Sequence, residues 1–173
     1  MAQLVNMDVA TIEDLILALL HDDTVLSDWC KTIDGYDGDV QEFVGELGQT
    51  AHRYPALFVF FLRADYQSGT QYEQFADFTL ALVPVCATHK GNREARRGLP
   101  ATDRLPGTAG TYQLMLRLRQ LMIGQSFPGT WTTNHFPPFQ LVSEVAVLNT
   151  RNVSAYECLY ITRGHSIRRE LNP

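Results

Sequence analysis

Seven consecutive apolar residues, ALFVFFL, occupy positions 56–62 directly after Pro55. A short run of this composition predicts a strand that is buried on both of its faces. We therefore expect a sheet with helices covering one of its faces or both. The run is far shorter than the roughly 20 residues that a membrane-spanning helix needs.

The segments that follow predict a mainly antiparallel sheet. A long strand over residues 72–88 pairs back onto the apolar run as a hairpin. Pro84 has no N–H for the ladder, which predicts that this second strand lies at an edge of the sheet or is bulged there. Two further strands, from Phe139 and over residues 153–162, are joined by a turn at residues 149–152.

Helical periodicity occurs in three places. Apolar residues recur on one face over residues 12–20, 40–51 and 111–123, and the segment 34–38 predicts a turn. The sequence therefore predicts an α+β fold in which a mainly antiparallel four- to five-stranded sheet is flanked by helices. We expect one domain over residues 1–173, with a flexible tail at residues 164–173.

Residues 89–110 are predicted to form a long basic loop. It carries five cations against Glu94 and Asp103; the cations are Lys90, Arg93, Arg96, Arg97 and Arg104. Loops of this length are uncommon in compact domains and are usually functional or mobile. A solvated loop and a docking arm for a protein partner are both open interpretations. Direct nucleic-acid binding is less favoured, because residues 89–104 contain no aromatic side chain for base stacking.

Charge is distributed unevenly along the chain. Residues 1–50 contain eleven Asp and Glu against the single cation Lys31, whereas residues 51–173 contain thirteen Lys and Arg against eight acids. This asymmetry predicts two surfaces of opposite sign. Asp34, Asp37 and Asp39 form part of the acidic segment. Their spacing resembles half of a calcium loop without its closing Glu, which favours a solvated acidic surface over a cation site.

Motifs of enzyme chemistry are absent from the sequence. It contains no glycine-rich phosphate loop, no G-x-S-x-G and no H-E-x-x-H, and its five His residues lack ligand-like spacing. Cys30, Cys86 and Cys158 form no C-x-x-C pair, which predicts reduced, packed thiols. The first fifteen residues do not resemble a signal peptide, so we expect a cytoplasmic compartment. We assign no catalytic, metal-binding or cofactor-binding residue and expect no cofactor.

Several segments resemble the Mu gp37-like family of Mu-like phages and prophages. They are TIEDLI (11–16), PALFVF (55–60), KGNREARRG (90–98), PGTAGTYQLM (106–115) and LMIGQ (121–125). The similarity extends over about residues 10–162, and none of its motifs is catalytic. The family in turn resembles phage tail terminators.

That resemblance implies a function in the virion tail. A tail-terminator-like subunit assembles as a hexameric ring, caps the tail tube, ends its polymerisation and offers its other face to a head-completion or neck protein. DNA passes through the lumen, and no membrane is involved. The expected location is the head–tail junction of the virion, with the host cytoplasm as the site of assembly.

Two hypotheses concern how such a ring is held together. The basic segment 89–104 orders on contact with the tube or with a neighbouring subunit, and deletion of residues 91–103 then leaves a folded protein that yields no complete virions. Part of the acidic set between Asp22 and Asp39 lines the lumen. The interface residues predicted from charge are Lys90, Arg93, Arg96, Arg97, Arg104, Asp34, Asp37 and Asp39.

Three other functions remain open at this stage. Another ring of the head–tail junction has a similar size and fold. A metal-dependent enzyme using Asp and His is less favoured, and metal-dependent stabilisation would reveal it. A nucleic-acid-binding module would show salt-dependent binding to DNA.

Overall fold

The apolar run lies in a twelve-residue strand inside a five-stranded sheet. A computed structural model describes residues 9–36, 38, 40–47, 54–67, 74–88, 90–101, 107–124 and 138–166. The helices in these ranges are α1 (Val9–Asp22), α2 (Thr24–Trp29), α3 (Val40–Glu46), α4 (Asn92–Arg97) and α5 (Thr111–Met122). The strands are β1 (Thr32–Gly35), β2 (Ala56–Gln67), β3 (Gln74–Ala87), β4 (Gln140–Asn149) and β5 (Val153–Ser166).

The sheet has the strand order β1-β2-β3-β5-β4. β1 pairs with β2 in parallel, and the remaining neighbours are antiparallel. The α+β prediction and the predicted hairpin of β2 and β3 are therefore confirmed. The predicted turn at 34–38 is wrong in its first part, because Asp34 and Gly35 belong to β1 and pair with Phe58 and Val59.

Both faces of the sheet are covered, as the apolar run predicted. Leu57 and Val59 face a cluster formed with α1, α2 and α5, which we call the broad face. Ala56, Phe58 and Phe60 face a second cluster formed with α3. All five of these β2 side chains are at most 2% exposed. Alternation along one strand thus fills two separate cores.

The position of Pro84 differs from the prediction. It lies in β3, an interior strand, and pairs with Leu57 of β2. On the side of β5, the pairing of β3 residues stops at Leu82 and resumes at Val85 in the same register. The missing N–H is therefore accommodated by an interrupted ladder on one side of the strand, and not by a sheet edge.

Two further boundaries and one short helix differ from the prediction. α3 ends at Glu46, while residues 48–51 of the predicted helix lie outside the described residues. The short helix α2 was not predicted. β5 continues to Ser166, so the first part of the predicted flexible tail is a strand that pairs with β3. Residues 167–173 lie outside the described residues.

Residues 89–110 are not a loop throughout. They contain α4 and, after it, a β-bridge between Leu99 and Thr108. α4 was missed because it is only six residues long and buries only Ala95 among its six side chains. Helical periodicity cannot be recognised in so short a segment, and tertiary packing provides most of the stability of such a helix.

Candidate interaction surfaces

Four of the five predicted basic residues lie on or directly before α4. Lys90, Arg93 and Arg97 are exposed, and Arg96 is half-buried toward α5. We call these four residues the basic patch. The fifth, Arg104, lies outside the described residues.

α4 is held firmly by the strands beneath it. The Asn92 side chain donates hydrogen bonds from Nδ2 to the carbonyl oxygens of Thr150 (2.7 Å) and Val153 (3.0 Å). The side chain of Ala95 is buried in the broad-face core. The cations of α4 are therefore carried by a folded element, whereas the sequence predicted a loop that orders on contact.

Two glycines allow the backbone after α4 and the backbone before α5 to lie in close contact. Gly98 has a φ of +81°, and a Cβ there would lie 2.4 Å from the carbonyl oxygen of Thr108. A Cβ on Gly110 would lie 2.2 Å from the backbone nitrogen of Gly98. Only glycine permits this close approach of the two backbones. The Leu99–Thr108 bridge then returns the chain to the start of α5.

Arg96 connects the basic patch to two tyrosines. Its Nη1 lies 3.5 Å from the Tyr112 hydroxyl, which lies 3.3 Å from the Tyr156 hydroxyl. The hydrogen bond from Tyr156, assisted by the Arg96 guanidinium, lowers the pKa of Tyr112, while burial raises the pKa of Tyr156. The Nε of Arg96 is buried and has no hydrogen-bond partner in the structure. The Arg96 guanidinium is thus held in place by phenol groups instead of by a carboxylate.

The basic patch has no acidic partner among the described residues. Arg63, Arg117 and Arg119 are each paired with a carboxylate, that of Asp65, Asp23 and Glu144 respectively. Within the same part of the chain, no ion pair involves a residue of the basic patch. Its charge is therefore available to an outside partner.

The acidic residues lie elsewhere on the molecule. Asp14 and Asp22 are exposed on α1, Asp28 is exposed on α2, and Asp34 is exposed on β1. No cation of the described ranges forms an ion pair with any of these four residues, which we call the acidic surface. Asp37 and Asp39, which the sequence grouped with Asp34, lie outside the described residues.

An apolar stripe on α5 was not predicted. The sequence predicted one apolar face on this helix, and Leu114, Leu118 and Met122 of that face are indeed buried. Tyr112, Leu116 and Ile123, however, are 43%, 53% and 50% exposed. Their spacing of 4 and 7 residues was the available signal, because it places all three on one line along a helix.

Ion pairs hold α5 on both sides. Arg117 donates from Nε to Oδ1 of Asp23 at 3.2 Å, and a second contact joins its Nη2 to Oδ2. Arg119 donates from Nε to Oε1 of Glu144 at 2.7 Å and also contacts Oε2. Such two-point pairs fix orientation as well as distance. The outer stripe of α5 is consequently presented by a helix anchored to the α1–α2 junction and to β4.

The described residues contain no cluster of His, Cys, Asp and Glu with the geometry of a metal site. None of their helices has the length and apolar character required to span a membrane. The three cysteines are buried and unpaired, as predicted, and burial raises the pKa of Cys30 to about 12.

Comparison with known proteins gives one family assignment. A search of curated proteins finds no match. The family described as Bacteriophage Mu, Gp37 matches residues 8–164, which cover most of the chain. The motifs on which the resemblance was based lie within that range. The chain therefore belongs to the Bacteriophage Mu Gp37 family of phage proteins.

Proposed function

We propose that this chain is a structural, non-enzymatic virion protein that forms a ring at the end of the phage tail tube. The ring ends tube polymerisation and offers its other face to a head-completion or neck protein, while DNA passes through its lumen. We propose a hexamer at the head–tail junction, assembled in the host cytoplasm. The observation that carries the proposal is the family match over residues 8–164.

The charge arrangement supports a ring. Each subunit of a cyclic ring uses two different surfaces, one toward each neighbour. The basic patch and the acidic surface are on separate elements, have opposite signs and lack ion-pair partners among the described residues. Complementary charges of this kind set orientation and register in an assembly.

Loss of the chain during phage growth tests this function. We expect tail tubes of unregulated length and heads that remain unjoined, because nothing stops the tube or connects it to the head. Electron microscopy of lysates measures both, and supplying the chain from a plasmid should restore normal virions. Tubes of normal length with unjoined heads would instead identify another junction ring, and normal virions would contradict both functions.

The fold changes how the basic segment should be tested. Deleting residues 91–103 would remove α4 with its buried Ala95 and the hydrogen bonds of Asn92, so the deletion would disturb folding as well as docking. Reversing the exposed charges of Arg93 and Arg97 leaves those contacts intact. We expect the double variant R93E/R97E to fold normally and to yield few complete virions. A normal virion yield from this variant would contradict a docking role for α4.

A further inference from the structure

The outer stripe of α5 is an apolar surface without a partner in the structure. Six large apolar side chains of the described residues are exposed; Tyr112 and Leu116 lie on α5, and Ile123 is the residue that directly follows it. Single exposed apolar residues are ordinary, but a contiguous apolar patch on a folded protein typically marks an interaction site. The Tyr112 end of the stripe meets Arg96, so the stripe and the basic patch form one continuous surface.

The acidic surface has the opposite charge. Asp14, Ala18 and His21 are exposed along one line of α1, and Asp22 lies beside them. The side chain of Ala18, between these polar groups, is small. Asp28 continues the acidic surface onto α2.

We propose that the α5 stripe and the basic patch of one copy bind the α1–α2 acidic surface of a second copy. This inference rests on the proposed ring, for which it names the contact between subunits. A second copy fits because the same chain supplies both members of the pair. The apolar stripe would provide most of the affinity, and the flanking charges would steer the approach and fix the register.

Three variants test the contact at exposed positions, where substitutions leave the core unchanged. L116S/I123S removes the apolar part, R93E/R97E reverses the basic patch, and D14K/D22K reverses the acidic surface. The control is R63E, which reverses one charge at an exposed residue of β2 and breaks only the exposed pair of Arg63 with Asp65. Arg63 pairs in register with Thr79. It therefore lies on the sheet face that α3 covers in part, whereas α1, α2 and α5 pack on the other face.

Sedimentation of the purified full chain over a range of concentrations measures the association. We expect the wild type and R63E to associate equally, and each of the three variants to associate at least about tenfold more weakly. Mixing R93E/R97E with D14K/D22K should restore association, because each supplies the charge that the other now needs. High salt should weaken the wild-type contact.

The outcomes separate the contact from the function. Unchanged association in the three variants, failure of the mixture to restore it, or a wild type that stays monomeric would each overturn the contact. An assembly of two copies that depends on these residues would support the contact and contradict the hexameric ring. Circular dichroism melting of each variant distinguishes lost binding from lost folding.

Discussion

Asp23 links three elements through one buried carboxylate. Its Oδ1 accepts the Leu26 N–H at 2.8 Å, which caps the N-terminus of α2. The same group binds the Arg117 guanidinium of α5 at two points. Hydrogen bonding to Arg117, opposed by burial and assisted by the Leu26 N–H, lowers the pKa of Asp23 below its ordinary value. The ionised form is therefore the one that the folded protein stabilises.

Replacing Asp23 with Asn isolates the charge, because Asn remains a good N-cap residue. We expect D23N to lower the free energy of unfolding by about 1–2 kcal/mol at pH 7, since the amide keeps one acceptor oxygen but loses the charge and the second contact with Arg117. Chemical denaturation measures this difference. D22N is the matched control for the dissociated chain, because the neighbouring Asp22 is exposed there, and it should change the free energy of unfolding by less than about 0.5 kcal/mol.

The same pair predicts a dependence on pH. The folded-state pKa of Asp23 lies below the unfolded value of about 3.9, so the stabilisation is complete above that value. It is lost as the pH falls through the folded-state pKa, where the carboxylate becomes protonated. The difference between wild type and D23N should therefore shrink below about pH 4. A difference that is constant from pH 7 to acid would contradict the ion pair.

The Arg117–Asp23 pair also shows what single residues in a sequence do not reveal. Ninety-four positions separate the two residues, so no local pattern connects them. The sequence shows which residues are acidic and which are basic, but not which of them pair. It could not distinguish cations that are paired internally, such as Arg117 and Arg119, from the unpaired cations of α4.

At the scale of elements, α4 is connected to α5 through the contact of Gly98 with Gly110. The two backbones approach so closely that a Cβ on Gly110 would also lie 2.5 Å from the Arg96 carbonyl oxygen. The position of the basic patch relative to the α5 stripe depends on this contact. A side chain there must push the backbone of α4 away from the start of α5.

We expect G110A to lower the free energy of unfolding by about 2–3 kcal/mol, because backbone atoms cannot move aside as a flexible side chain can. G45A is the matched control in α3, where an added Cβ would meet no atom within 4 Å. That change should raise the free energy by about 0.5–1 kcal/mol, since alanine is the better helix former. Thermal or chemical denaturation of both variants measures the contrast, and equal effects would contradict the close approach.

The predictability of an element followed its length and its local pattern. β2 and α1 carry clear apolar patterns and were predicted as elements of the correct type, although β2 continues to Gln67, five residues beyond the apolar run. β1 is four residues long and gains its hydrogen bonds from β2, more than twenty residues away. The prediction for Pro84 was wrong because it considered only the missing backbone N–H. It could not include the gap in the pairing of β3 with β5 at that point, which depends on a distant segment.

At the scale of the whole molecule, the uneven charge of the sequence becomes two located surfaces. Sequence alone predicted opposite signs and a tail-terminator-like fold class. The structure places the unpaired cations on and directly before a folded helix, and it adds the α5 stripe. The sequence did not predict this stripe, because the buried residues of the same helix dominate its apolar pattern. The grouping of Asp34 with Asp37 and Asp39, and the lining of a lumen by acidic residues, remain predictions.

The central claim is that this chain forms a ring on the end of the tail tube. Electron microscopy of the purified protein mixed with purified tail tubes tests it most directly. We expect ring-shaped density with six-fold symmetry at one end of each tube, and tubes that no longer elongate when tube protein is added. Tubes with bare ends that continue to elongate, or protein bound along the tube sides, would contradict the claim.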